Sequence, residues 1–478
     1  MRRLRSLLSL PAALFLLGCA ASPAGPERPP SFVVVVVDTL RPDHLGLYGY
    51  RKDASPNLDR LARDGIVFDR AYSAAPWTYP STVSLLTGRW PSEHGADDLR
   101  VDEATGALAL AQAEQDWLPR RFAEHGYRTA AFHTHRYLHR DVSNIHEAFE
   151  EFYYPPAEGA TAEERDAVAR GIWRWTERMF LDTLYPPFET WLTRTAGEPF
   201  FAYLHVIDVH GPYRDALVLD EDRAAFERGL EDGSIVLPRM DNVEMYRPTG
   251  VENPHKSYLY DGHIRSVDTY LGRLATHLER LGIADDTYLV VTSDHGEGFG
   301  EHGYWGHGHY VFDDQVRVPL VLLSHREVVR RPRRVAELVS TVGLVPTLAE
   351  LAGIELPPPL AARGFADLLG DRPRAPRRSF VVAELRRHVG RQAYMLDPRF
   401  KLIRERADGS ERLYDLAADP GEMRPIEGAA LAGEALAAQR ALSRAGEAYR
   451  STLRRRLVRE KTLRSEDVEA LKALGYLN

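Results

Sequence analysis

The sequence predicts an α/β protein: a doubly wound, mostly parallel sheet with helices on both faces, followed by a smaller C-terminal α+β subdomain. Three observations predict it. Residues 32–37 read FVVVVV and run into Asp38, the continuous apolar stretch of a strand buried on both faces of a parallel sheet. Strand-like runs at Tyr127–Phe132, Phe200–Leu204, Tyr288–Thr292 and Val318–Leu323 alternate with helical patterns, as crossover-linked strands do. Polar residues follow these runs: Asp38, then His133 and His135, then His205, Asp208 and His210, then Asp294 and His295. Ligands of such sheets gather beyond the carboxyl ends of the strands, so these residues are the first candidates for a site.

Taken in order, the chain opens with Arg2, Arg3 and Arg5, then LLSLPAALFLL, then Gly18-Cys19-Ala20. That is the charged and apolar pattern of a secretory signal, too short and too interrupted by Pro11 for a spanning helix. Leu16 to Cys19 resembles a bacterial lipobox, with Leu17 in a slot that more often holds a smaller residue. Cys19 is the only cysteine, so no intramolecular disulfide is possible and a lipid-acceptor role is expected. Residues 1–30 are therefore expected to be a lipoprotein signal peptide and tether. Ser55-Pro56 before Leu58, Leu61 and Ala62, with Gly65 after them, predicts a helix with Ser at the N-cap, Pro at N1 and Gly past its end. Trp173, Trp175 and Phe180 stand at helical spacing and are expected in the core. The acidic stretch from Arg214 to Ser257 reads as a loop.

A main domain is expected over residues 31–375 and a C-terminal subdomain over 376–478. In the latter, Ser379–Ala383, Ala393–Leu396, Lys401–Arg404 and Leu413–Leu416 read as short antiparallel strands, and a terminal helix carries Leu442, Tyr449, Leu453 and Leu457 on one face. Net charge is -8 with scattered basic residues, which excludes the electrostatic footprint of a nucleic-acid partner. The helical arginines from Arg444 to Arg456 read as a solvated face.

Asp38, Asp294 and His295 supply two carboxylates and an imidazole, and Thr78 a hydroxyl, in a mixed oxygen and nitrogen set for one divalent ion. Thr78 stands in TYPSTVSLLTG, at a strand-to-helix turn. An alcohol is a weak nucleophile, and coordination to a metal is one way to activate it. The glycines of GEGFGEHGYWGHGH are expected to let the backbone approach a ligand closely.

Four segments, VVVDTLRPDHLGLYGY with SPNLDRLARDGIVF, TYPSTVSLLTG, FFAYLHVIDVHGPY and YLVVTSDHGEGFGEHGYWGHG, together with FKLIRE, LYDLAADPGE and LKALGYL in the tail, resemble the sulfatase branch of the alkaline phosphatase superfamily. The resemblance covers nearly everything after residue 31. It implies a hydrolase of phosphate or sulfate esters that uses one divalent ion (Mn, Zn, Mg or Ca), a covalent intermediate on Thr78 and an anionic ester substrate. His210, in H-G-P-Y, matches a family position that contacts the transferred group, and is expected to donate to its oxygens or to protonate the leaving oxygen. His205, Asp208, His307 and His309 are assigned to substrate binding. They exceed what one metal needs, so a second ion stays open.

The sequence departs from that branch at the nucleophile. The matching residue there is a Cys or Ser oxidised to formylglycine, a conversion threonine cannot follow, and the Arg that supports it is Thr82 here. The branch's Lys-x-His is missing around His133 and His135, and no lysine occurs from residue 257 to 400, so histidine or arginine is expected to hold the anion. These departures lean toward phosphodiester or phosphonate ester hydrolysis. The alternatives are a sulfatase proper and a transferase of phosphoryl head groups in the envelope. The protein is expected outside the cytoplasm, held to a bacterial membrane by lipid alone. Membrane fractionation with intact-mass measurement checks the anchor: Cys19→Ala is expected to lose the lipid mass and leave the membrane fraction.

Overall fold

The computed structural model describes residues 28–97, 99–101, 108–113, 116–154, 180–211, 213, 220–234, 253–324, 332–370, 380–386, 390–395, 399–453, 458–465 and 467–469. Cys19, Trp173, Trp175, Arg454–Arg456, Leu457 and LKALGYL lie outside them.

A nine-stranded sheet organises the chain. Its strands are β1 (Ser31–Val37), β2 (Ile66–Tyr72), β3 (Arg128–His133), β4 (Glu151–Tyr153), β5 (Phe200–Val206), β6 (Thr287–Thr292), β7 (Arg317–Val318), β8 (Leu320–Leu323) and β9 (Arg333–Ser340). The order is β7-β2-β8-β6-β1-β5-β3-β4, with β9 alongside β2. β1 lies at the centre, parallel to both β5 and β6, and every residue of it is buried. Its alternating side chains feed two separate cores. Phe32, Val34 and Val36 enter one, and Val33, Val35 and Val37 the other. A strand covered on both sides has no polar face, which is why the run is unbroken.

Helix α2 (Thr78–Thr87) and helix α5 (Leu344–Leu351) pack into the first core, while α3 (Phe180–Thr195) and α4 (Pro254–Arg280) pack into the second. The expected strand over 318–323 is interrupted at Pro319, which has no N–H to give a ladder. The pieces on either side, β7 and β8, run antiparallel to β2, and β8 also runs antiparallel to β6. The stretch read as a loop after Arg214 contains a helix at Asp220–Glu231.

The expected cap of α1 (Pro56–Leu61) is also different. The Ser55 side chain makes no cap; it donates to Asp59 and accepts from the Gly46 N–H. Asp268 of α4 takes the N–H groups of Asn57 and Leu58 at 2.8 and 2.7 Å instead. A carboxylate at the positive end of a helix is a stronger acceptor than a hydroxyl, and it ties α1 to α4.

The C-terminal subdomain is a four-stranded antiparallel sheet, β10 (Val381–Leu385), β11 (Arg391–Met395), β12 (Phe400–Glu405) and β13 (Glu411–Asp415). Helix α6 (Gly433–Thr452) covers it through Leu442 and Tyr449. The chain then returns as a strand at Val458–Thr462, which pairs with Leu108–Ala113. Lys401 of β12 is fully buried, its Nζ 2.8 Å from Asp313 and 2.9 Å from Glu422. Burial pushes the Glu422 carboxyl up to about 7 even with that ammonium beside it. Removing the cation leaves two carboxyl groups crowded without water, so Lys401→Met is expected to destabilise the fold by about 3–5 kcal/mol. The shift in the urea unfolding midpoint measures this.

Candidate active site

Sheet register assembles the site. Val36 pairs with His205 on one side and Thr292 on the other, and His205 pairs with His133. Asp38 and Asp294 therefore stand two residues beyond paired positions on adjacent strands, at the carboxyl ends. The turn after Asp38 is forced: Thr39 has φ +62, a left-handed conformation that a β-branched residue rarely adopts. Its hydroxyl donates to Asp38 O at 2.7 Å and Val209 O at 3.1 Å, its N–H to Asp294 Oδ1 at 3.3 Å, and its carbonyl accepts from Tyr260 at 2.7 Å. Such strain persists only where the surroundings over-determine it, and it clusters at functional sites.

Five side chains meet there. Asp38 and Asp294 each approach His295 Nε2 at 3.5 Å and His205 Nε2 at 3.9 and 3.7 Å. Thr78 Oγ1 lies 3.1 Å from His295 Nε2. Thr78 is the first residue of α2, where the helix's positive end favours an oxyanion. Asp38, Thr78, His205, Asp294 and His295 are all essentially excluded from solvent. Burial, then the neighbouring Asp294, pushes the Asp38 carboxyl well above its usual range.

Hydrogen-bond partners assign the imidazoles. Nδ1 of His295 meets Gly296 O at 2.8 Å, so it must carry a proton and Nε2 faces the site with a lone pair. His205 is set by Tyr203 at 2.8 Å from Nδ1. Nδ1 of His135 accepts the Tyr137 N–H, so in the neutral ring Nε2–H points at Asp38, 3.4 Å away. Burial holds His205 and His210 down at about 4 and drives His135 well below its usual value; all three are neutral rings at pH 7.

Both oxygens of Asp38, Oδ2 of Asp294 and Nε2 of His205 are buried without a hydrogen-bond partner. One such atom from each residue lies within 4.8 Å of the others. Two carboxylates and an imidazole lacking any donor suit a divalent cation, which would satisfy atoms that are otherwise costly to bury.

The expected ligands Asp38, Asp294, His295 and Thr78 are thus brought together, and His205, assigned to substrate, stands among them. His307 joins the edge of the group, its ring 4.3 Å from that of His295 and 5.0 Å from that of His210. Asp208 points elsewhere: it accepts the Leu181 N–H at the start of α3, a helix-capping position. His309 stacks against Tyr304, and its carbonyl accepts from Arg391. The Gly296 backbone is pressed against protein rather than ligand, since a Cβ there would collide with the Asp314 carbonyl oxygen.

Sequence reading placed His135 among the polar residues after a strand without giving it a role, and did not single out Tyr203, Tyr213 or Glu297. Tyr203 was findable, because it lies two residues before His205 on one strand and so on the same face. Glu297 carries no comparable signal. It is buried, accepts from His307 Nδ1 at 3.1 Å and from Tyr213 at 3.3 Å, and its carboxyl is raised by burial.

A mixed sheet with this site at its carboxyl ends is the arrangement of alkaline-phosphatase-superfamily ester hydrolases. Within that class the chain belongs to the sulfatase family, whose family description, Sulfatase, matches residues 30–354. A second, N-sulphoglucosamine sulphohydrolase, C-terminal, matches residues 300–440. Human iduronate 2-sulfatase is 27% identical over 390 residues, covering 68% of this chain and 69% of that protein. A structure in complex with its substrate D-glucosamine-2-N,6-O-disulfate superposes with a TM-score of 0.66 at 17% identity, covering 89% of this chain and 99% of that one. The phosphonate monoester hydrolase of Silicibacter pomeroyi superposes with a TM-score of 0.65 at 21% identity, covering 91% and 100%. At these identities the two structural likenesses show a shared fold. Elemental analysis checks the metal: Asp38→Asn and Asp294→Asn are each expected to weaken retention of a divalent ion by at least about tenfold, and a chelator to lower the melting temperature of the wild type but not of the variants.

Proposed function

We propose that the chain is a metal-dependent hydrolase of phosphate or sulfate esters in which Thr78 is the nucleophile, with a lean toward phosphodiesters or phosphonate monoesters. One observation carries this reading: the Thr78 hydroxyl, at the head of α2, lies 3.1 Å from His295 Nε2, the same nitrogen that Asp38 and Asp294 each approach at 3.5 Å. Asp38, His205 and Asp294, with His295 and Thr78 beside them, would hold a divalent ion, which would lower the pKa of the hydroxyl and draw charge from the reacting ester.

The residues divide the remaining work. His295 orients the Thr78 hydroxyl, and the helix end favours its anion. In the first half Oγ1 bonds to phosphorus or sulfur as the bond to the leaving alcohol breaks, and the alcohol departs with the proton that Thr78 gave up. In the second half water bonds to the same atom while its bond to Oγ1 breaks. Threonine requires this second attack, because it lacks the second hydroxyl through which a formylglycine hydrate can expel its anion. His135, whose Nε2–H points at Asp38 from 3.4 Å, orients that carboxylate. His210, whose Nδ1 proton is committed to Gly211 O at 2.5 Å, keeps no proton on Nε2 in the neutral ring, which suits a proton acceptor for water better than either donor role expected from sequence.

A sulfate ester is the second reading, supported by the family and by relatives such as iduronate 2-sulfatase. Turnover of an aryl sulfate, an aryl phosphate, a bis-aryl phosphate diester and an aryl phosphonate monoester, side by side, separates the two. Thr78→Ala is expected to lower turnover at least about a thousandfold without moving the melting temperature. An active Ala variant would remove Thr78 from the mechanism.

A further inference from the structure

The cluster offers more nitrogen than an oxygen-seeking ion can use. His205 Nε2 lies 3.9 and 3.7 Å from the Asp38 and Asp294 carboxylates, and His295 Nε2 lies 3.5 Å from each. Ligands about 2.1 Å from a tetrahedral ion stand about 3.4 Å apart, so these side chains are spaced to close on one small cation. Beside the two nitrogens the cluster's own side chains offer four oxygens: both of Asp38, Oδ2 of Asp294 and Oγ1 of Thr78. Oδ1 of Asp294 is taken by the N–H groups of Thr39 and His295 at 3.3 and 2.9 Å, and the Thr39 hydroxyl is turned to two backbone carbonyls. Calcium takes about six to eight oxygens and magnesium an octahedron of them, whereas imidazole suits zinc or iron(II).

His205 is also held in a pose for ligation. It is fully buried on β5, and its Nδ1 lies 2.8 Å from the Tyr203 hydroxyl. Residues two apart on a strand share a face, so Tyr203 stands directly behind it. By accepting Nδ1–H the tyrosine oxygen leaves a lone pair on Nε2, which has no hydrogen-bond partner of its own. Outer partners of this kind fix the ring and tautomer of a metal-binding histidine. We propose that His205, with Tyr203 as its positioning residue, makes the site selective for a divalent transition ion of the zinc or iron(II) type over calcium and magnesium. This rests on the metal-dependent reading above.

Calorimetric titration of the metal-free protein with zinc, calcium and magnesium tests it without relying on turnover. Zinc outbinds magnesium at most protein sites, so the preference alone decides nothing; the change that His205 makes to it does. The wild type is expected to take one zinc ion at least about a thousandfold more tightly than calcium. His205→Asp, which exchanges the nitrogen for oxygen, is expected to narrow that gap at least about tenfold. Tyr203→Phe keeps every ligand and removes only the hydroxyl; it is expected to weaken zinc about tenfold and calcium less than about twofold, whereas a merely structural loss would lower both alike. Electron paramagnetic resonance of the copper(II)-loaded protein gives a second readout, with coupling to two imidazole nitrogens expected in the wild type and to one in His205→Asp. No zinc bound by the wild type, calcium bound as tightly as zinc, a gap that either folded variant leaves unchanged, or the same nitrogen count with and without His205 overturns the proposal. Failure of the nucleophile reading would be seen separately, as retained turnover in Thr78→Ala.

Discussion

Two carboxylates that repel each other in a dry interior govern this molecule. The parallel register of β1 and β6 brings Asp38 and Asp294 to equivalent heights on neighbouring strands, and neither Asp38 nor the outer oxygen of Asp294 finds a hydrogen bond. Left alone, such a pair disfavours folding, since a buried charge without a partner costs several kcal/mol. The surroundings answer it from every side: a strained Thr39 fixed by four hydrogen bonds, Ser293 donating to His295 O at 2.6 Å, and histidines whose tautomers are set by backbone groups behind them. The cluster offers carboxylate and imidazole acceptors that suit a cation, and Thr78 stands beside it at the positive end of α2.

The subdomain that follows takes part in this arrangement. Lys401 and Glu422 grip Asp313, which also accepts from Tyr72 of β2 at 3.0 Å. Asp313 begins the turn whose Gln315 carbonyl receives the Gly296 N–H and whose Gln315 side chain receives the N–H groups of His309 and Tyr310. The loop carrying His307 is thus held between β2, the His295 turn and β12. Arg391 adds a fourth hold, stacking on Tyr310 at 4.5 Å while bonding the His309 carbonyl.

The sheet, the two-faced burial of β1 and the meeting of Asp38, Thr78, Asp294 and His295 were legible because each rests on periodicity or on a strand end. What failed to show were directions. A residue after a strand belongs to a turn, and nothing local says whether it faces the sheet's mouth or a neighbouring helix. His205, the penultimate residue of β5, faces the mouth, whereas Asp208 faces the start of α3. The same limit hid the replacement of Ser55 by Asp268 as the cap of α1, because the two are 213 positions apart. The break at Pro319 could have been read from the missing N–H. Glu297 had no signal at all, since its role follows from which loop folds over it.

One consequence follows from β1 itself. The chain enters this strand at its amino end and reaches Asp38 at the other. The described residues 28–30 therefore meet the sheet at the end away from Asp38, where Arg28 donates to the Gly197 carbonyl, so the entry of the chain takes no part in the reactive cluster.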